Sequence, residues 1–240
     1  FMAGVLPGLL LTCLFILAIW IVVHRSPEKA PQSVEAAPMR HRLASLRRAS
    51  WIISIIGLTI GGIYTGVFSA VEAAGVGAFL ALIASFARRS ITRESLREVI
   101  TSTLKSTGMV FLILFGAFVF KTFIGFTGVT YSLTLWVEGL GLSGFQVVVA
   151  ILIMFMLLGT FMEGFAILVL TVPLVQPILE ARGVDLIWCG VLMVIVLEMA
   201  LISPPVGVNV FVVKSIAPDV KLNTIFRGIW PFWFAMALML

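Results

Sequence analysis

The chain has 240 residues, of which 61% are hydrophobic and 11% charged, and its mean hydropathy is +1.18. Soluble domains average about 25% charged residues, so this balance excludes a water-soluble globule and implies an all-α, polytopic integral membrane protein. The formal charge of +5 does not point to nucleic acid, because eleven of the sixteen Lys and Arg fall between Arg25 and Lys105; in a membrane chain such clustering is a topology signal.

Residues 1–23 are apolar and long enough to span a bilayer, ending at His24 and Arg25 on the cytoplasmic side. Residues 24–50 change to Pro, Ser, Glu, Lys and Arg and hold both histidines, His24 and His41. Two readings apply to the basic run at 39–48: an amphipathic surface helix with Arg40, Arg47 and Arg48 on membrane lipid phosphates, or a solvated basic loop, which is preferred.

Residues 51–89 consist of two apolar limbs joined by GGIYTGVFSAVE, with basic residues outside each end. Both ends therefore belong on the same side of the membrane. Each limb is roughly 10 to 17 residues where a straight crossing needs about 20, so the segment reads as a re-entrant helical hairpin. Its non-helical tip needs protein, water or a ligand to satisfy the backbone. Ser69 and Glu72 form an S-x-x-E capping box that starts the return limb.

Residues 90–106 alternate charges as a cytoplasmic surface helix does, and the chain enters the membrane near Thr107. Residues 107–228 are helical with interruptions near 125–130, 159–164 and 203–209, where Gly and Pro cluster. The stretch 131–143 reads as an interfacial connection. Pro173 and Pro177 predict a kink or an end to the helix that carries them. Residues 229–240 begin a final span too short to cross, so both ends read as internal to a longer protein. Cys13 and Cys189 lie far apart in apolar runs and read as buried spectator thiols.

Glu72, Glu163 and Glu198 lie within apolar segments, where a charge costs several kcal/mol and is by default functional. Each has a structural alternative: Glu72 closes its capping box, while Glu163 and Glu198 bond to interrupted backbone. Lys121 is either a functional charge or one that snorkels to the outer interface. An intramembrane enzyme would need a nucleophile with its base or a metal with His or carboxylate ligands. Both histidines are in the basic loop, and the chain has no H-E-x-x-H and no G-x-S-x-G. Interrupted helices instead suit a secondary transporter, because unwound carbonyls coordinate cations and half-helix N-termini attract anions.

At these interruptions the chain resembles a known family, the large membrane subunit of tripartite ATP-independent periplasmic (TRAP) transporters of the ion transporter superfamily. GGIYTGVFSAVEAAGVGA is similar to its glycine-rich hairpin, with Ser69, Ala70, Val71 and Glu72 where TPTE is usual. FMEGFAILVLTVPLVQPI resembles its acidic segment, with Glu163 where Asp is common, and LISPPVGVNVFVV its TPPVG motif, with Ser203 for Thr. GVLPGLLL and RGIWPF resemble its flanking spans.

The resemblance implies the C-terminal half of a subunit about twice this length, one of two inverted repeats. It further implies a bacterial cytoplasmic (inner) membrane location, a small membrane subunit and a periplasmic binding protein as partners, and inward transport of an organic anion with sodium. The related alternative is a dicarboxylate or citrate-type carrier that needs no binding protein. On the first reading, backbone oxygens near Gly62, Tyr64, Thr65 and Gly66, with Ser69, Gly159, Thr160, Ser203, Pro204, Pro205, Gly207 and Asn209, form one sodium site. Hard oxygen ligands suit that ion, and no other cofactor or metal is expected. The substrate anion lies beside it on helix N-terminal amides.

Overall fold

A computed structural model describes residues 2–29, 39–88 and 91–240. It is all-helical, with no strand among the described residues. The helices are α1 (Met2–Arg25), α2 (Met39–Tyr64), α3 (Ala70–Ala87), α4 (Arg93–Thr127), α5 (Val129–Gly139), α6 (Gly144–Gly159), α7 (Gly164–Ala181), α8 (Leu186–Leu201), α9 (Val208–Ile216) and α10 (Leu222–Ala237). Ala3–Arg25, Ala70–Ala87, Arg93–Thr127 and Gly164–Ala181 are long and apolar enough to cross a membrane, and Ala49–Tyr64, Gly144–Gly159 and Leu186–Leu201 are shorter apolar helices. Large apolar side chains such as Phe111, Leu112, Phe115 and Phe118 stand exposed along α4, as a lipid-facing helix of a multi-pass membrane protein requires.

Several element boundaries differ from those expected. Residues 39–50, assigned above to a loop, are the first turns of α2, since Leu, Arg and Ala in RHRLASLRR are among the better helix formers. Of the rest of that expected loop, His24 and Arg25 are the last residues of α1 and Pro27–Lys29 form a short 3-10 turn. Residues 30–38, the ends of the hairpin and surface segments at Arg89 and Ser90, and the side chains of Arg40, His41, Arg47 and Arg48 lie outside the described residues.

The surface segment and the following span are one helix, α4, which runs through Lys121 and Gly125. A lone helical glycine costs about 1 kcal/mol, too little to break it; the interruption falls at Gly128, whose φ is +66°. Residues 131–143 are not a plain connection, because α5 occupies most of them. α7 continues past Pro173 and Pro177 to Ala181; each proline removes one amide donor and the rest of the ladder holds. α10 begins at Leu222, ahead of the span expected at 229.

The chain forms two compact units, Ala30–Thr107 and Phe1–Lys29 with Gly108–Leu240. In the first, α2 and α3 pack antiparallel: the Thr59 methyl lies 3.2 Å from where a Gly77 Cβ would stand, and Phe68 covers Gly62.

In the second unit, α6 and α8 run parallel with α7 returning between their ends. Their starts meet where Gly144 approaches Arg182 and Val184, and their far ends meet at Gly159 and Ala200. Val147, Val148, Ile151 and Phe155 of α6 interlock with Ile167, Val175 and Leu179 of α7 and with Cys189, Leu192, Met193, Val196 and Leu197 of α8. A second cluster, Ile195, Met199 and Met236, joins α8 to α10 and α1, where Phe15 meets Phe232 edge-on at 5.3 Å. Lipid is as apolar as these side chains, so close packing holds the helices together.

Candidate functional site

The hairpin tip is built from two helix ends. α2 stops in a paired turn: the Val67 amide donates to the Gly62 carbonyl at 2.9 Å and the Gly66 amide to Ile63 at 3.1 Å. Gly66 sits at φ +74°, the left-handed position this closure demands. The Gly62 carbonyl also accepts the Phe68 amide at 3.0 Å, so its lone pairs are engaged. Among the described residues the carbonyls of Tyr64 and Thr65 accept no amide, which leaves them open to another donor or to a cation. The Thr65 hydroxyl donates back to Gly61 at 2.9 Å.

α3 opens on the expected capping box. The Ser69 amide and hydroxyl each reach a Glu72 carboxylate oxygen at 2.7 Å, and the Glu72 amide donates to Ser69 Oγ at 3.3 Å. Glu72 thus caps its own helix and holds the serine hydroxyl.

The other two interruptions lie side by side in the second unit. A methyl placed on Gly159 would stand 2.6 Å from the Ala200 Cβ, so the ends of α6 and α8 touch. Leu197 lies beneath the α6–α7 turn, near both Gly159 and Gly164. The only buried polar side chains among the described residues are Thr160, 6% exposed, and Ser203, 3% exposed, one at each interruption.

Each of these hydroxyls donates inward, Thr160 to the Leu157 carbonyl and Ser203 to that of Met199, both at 2.7 Å. Ser203 also accepts the Trp233 indole N–H at 2.9 Å. Pro204 and Pro205, joined by a cis bond, bring no amide, so the Leu201 carbonyl has no donor four residues on. Gly207, at φ +57°, precedes α9, whose first amides have no side-chain cap; Asn209 is exposed in that first turn.

Of the remaining charges, Glu163 is the N-cap of α7 and accepts the Ala166 amide at 3.0 Å. Glu198 is exposed, makes no hydrogen bond or ion pair among the described residues, and faces an otherwise apolar cavity of about 410 Å³ between α1 and α8, with Gly4, Pro7 and Gly8 opposite. Lys121 is exposed beside a pocket of about 140 Å³ lined by Gly125, Thr130 and Pro173. No group of His, Cys, Asp and Glu suited to a metal ion occurs among the described residues.

Trp233, Ala200 and Leu197 did not stand out in the sequence. A signal existed for Trp233, since a tryptophan in an apolar run must find an acceptor for its N–H. Ala200 and Leu197 look like any other residues of an apolar helix.

The whole chain, residues 1–240, matches the family model described as the tripartite ATP-independent periplasmic transporter, DctM component. It is 34% identical over 240 residues to the C4-dicarboxylate TRAP transporter large permease protein DctM of Pseudomonas aeruginosa, covering 100% of this chain and 55% of that protein. The sialic acid TRAP transporter large permease protein SiaM of Vibrio cholerae is 28% identical over 242 residues, 100% of this chain and 56% of its own length. The isethionate TRAP transporter permease protein DctMQ of Oleidesulfovibrio alaskensis is 28% identical over 242 residues, 100% of this chain and 37% of its own. The chain thus spans about half the length of the large permeases it matches, and each of these three relatives is named as a transporter permease rather than an enzyme. With interrupted helices at the motif positions and a match along its full length, the chain belongs to the DctM component family of tripartite ATP-independent periplasmic transporters.

Proposed function

We propose that this chain is the C-terminal half of a large TRAP permease subunit that imports an organic acid anion with sodium across a bacterial cytoplasmic membrane. The cargo class is a dicarboxylate, keto acid or sugar acid handed over by a periplasmic binding protein, and a small membrane subunit completes the transporter. The fused name DctMQ of one relative supports that last partner.

The observation that carries the reading is the pair of buried hydroxyls, Thr160 and Ser203, on helix ends that touch. Interrupted helices with free carbonyls are where secondary transporters bind coupling ions. Sodium ligands come from Thr160, Ser203 and the carbonyls of Gly159 and Leu201, and Gly207 gives the backbone its turn into α9. The α2–α3 tip is a second oxygen-rich element, re-entrant from the cytoplasmic side, with Tyr64 and Thr65 carbonyls available. The uncapped amides at the start of α9, beside Asn209, suit the carboxylate of the cargo.

The test is uptake into proteoliposomes holding the full transporter, with and without a sodium gradient. Uptake should require both inward sodium and the binding protein. Ser203→Ala and Gly66→Leu should each reduce the rate and alter its sodium dependence. Unchanged rate and sodium dependence in either variant would remove the assignment, and sodium-driven uptake by the membrane subunits alone would favour a carrier independent of a binding protein.

A further inference from the structure

We propose that Trp233 is a positioning residue for the cation site at the α8–α9 interruption, its indole N–H fixing the direction in which the Ser203 oxygen is offered to sodium. The inference rests on the reading of that interruption as a sodium site and adds to it a residue from a different helix.

A serine hydroxyl has one proton and two lone pairs. In Ser203 the proton is given to the Met199 carbonyl at 2.7 Å and one lone pair takes the Trp233 indole N–H at 2.9 Å. One lone pair remains. The oxygen is held from two sides, so that lone pair points in a single direction, and the hydroxyl proton cannot turn toward an arriving cation without giving up its bond to Met199.

Trp233 is itself held in place. Its ring meets Trp230 and Phe234 edge-on at 5.7 and 5.5 Å and packs on the cluster of Ile195, Met199 and Met236. Two turns earlier on α10, the Phe226 ring lies 3.3 Å from where a Gly207 Cβ would stand. α10 therefore grips both ends of the Ser203–Gly207 turn, one by a hydrogen bond and the other by an aromatic ring. Without the indole, Ser203 keeps one hydrogen bond, exposes two lone pairs and is free to adopt other rotamers.

The experiment is sodium-titrated uptake by the full transporter in proteoliposomes, comparing Trp233→Phe, Ser203→Ala and the double variant. Phe keeps an aromatic plate and removes the donor together with one ring of the indole, so the double variant with Ser203→Ala separates loss of the hydrogen bond from loss of packing. Loss of one neutral hydrogen bond should raise the half-saturating sodium concentration about two- to tenfold, with the maximal rate at saturating sodium within about twofold of the parent. Ser203→Ala should raise it at least as far, and the double variant no further than Ser203→Ala alone, because Trp233 acts through that hydroxyl.

An unchanged half-saturation in Trp233→Phe, with Ser203→Ala shifted, overturns the positioning role and leaves the sodium site standing. So does additivity in the double variant, or a fall in maximal rate alone. If Ser203→Ala leaves sodium dependence untouched, the sodium site fails, and the inference with it.

Discussion

Exchanging the residues at the α6–α8 contact tests whether the two interruptions are held together by close approach. In Gly159→Ala the new methyl would lie 2.6 Å from the Ala200 Cβ and 3.5 Å from Leu197 Cδ2. Unstrained carbons pack at about 3.5–4.0 Å, so the helix ends must separate by roughly 1 Å. Ala200 is fully buried and cannot swing aside. Overpacking of this kind costs about 1–3 kcal/mol, which at about 1.4 kcal/mol per decade is a shift of about 5- to 150-fold in the folding equilibrium.

The control is the swapped pair, Gly159→Ala with Ala200→Gly. It moves one methyl across the contact while the gain and loss of helix propensity offset each other, so recovery reports packing alone. The measurement is the unfolding midpoint of the purified, detergent-solubilised full permease. Gly159→Ala should lower it and the swap should restore most of the loss. A midpoint unchanged by Gly159→Ala, or a swap no better than the single variant, would refute the contact.

Other substitutions separate the local devices. Gly66→Ala should destabilise the hairpin by about 1–2 kcal/mol, because φ +74° is costly for any residue with a Cβ; protease accessibility of the tip would report it. Ser69→Ala should cost about 0.5–2 kcal/mol through loss of the capping box while Ser69→Thr keeps most of it, read as amide exchange in the first turn of α3. Arg182 donates to the Leu142 and Val137 carbonyls at 2.6 and 3.0 Å, tying the α5–α6 turn to the end of α7. Arg182→Met should therefore lower thermal stability, and Arg182→Lys should recover only part of it because the planar fork is lost.

Composition and charge placement were enough to read the class of the protein, and the motif residues enough to place its three main interruptions. The capping box was legible because it is local: three residues of spacing fix which atoms meet. Boundaries set by propensity against context were less so. RHRLASLRR is as soluble as a loop yet forms the first turns of α2. Of the kink or end that Pro173 and Pro177 predicted, the end does not occur, because the surrounding helix ladder carries α7 on to Ala181.

The candidate site was legible as a set of residue types at interruptions, not as a geometry. Ser203 could be singled out beside its prolines, but the hydroxyl's two partners come from Met199, one turn away, and Trp233, thirty residues on. That Gly62 spends its carbonyl on two amides while Tyr64 and Thr65 keep theirs follows from a helix ending whose register a sequence motif does not specify. The meeting of Gly159 with Ala200 depends on α6 and α8 being parallel, which follows from the length of α7 and its turns rather than from either residue.

The capping box at Ser69 gives the hairpin tip an electrical sign. α2 presents the carbonyl end of its macrodipole there, equivalent to about half a negative charge, while the matching positive end of α3 is neutralised by Glu72. The same happens at α7, capped by Glu163, and at α8, capped by Asp185, but α9 begins on a glycine and keeps its positive end. A cation approaching the tip therefore meets carbonyl oxygens and a carboxylate, and an anion is repelled from it. The same backbone geometry attracts opposite charges at two different helix ends, according to whether an acidic side chain sits at the start of the helix.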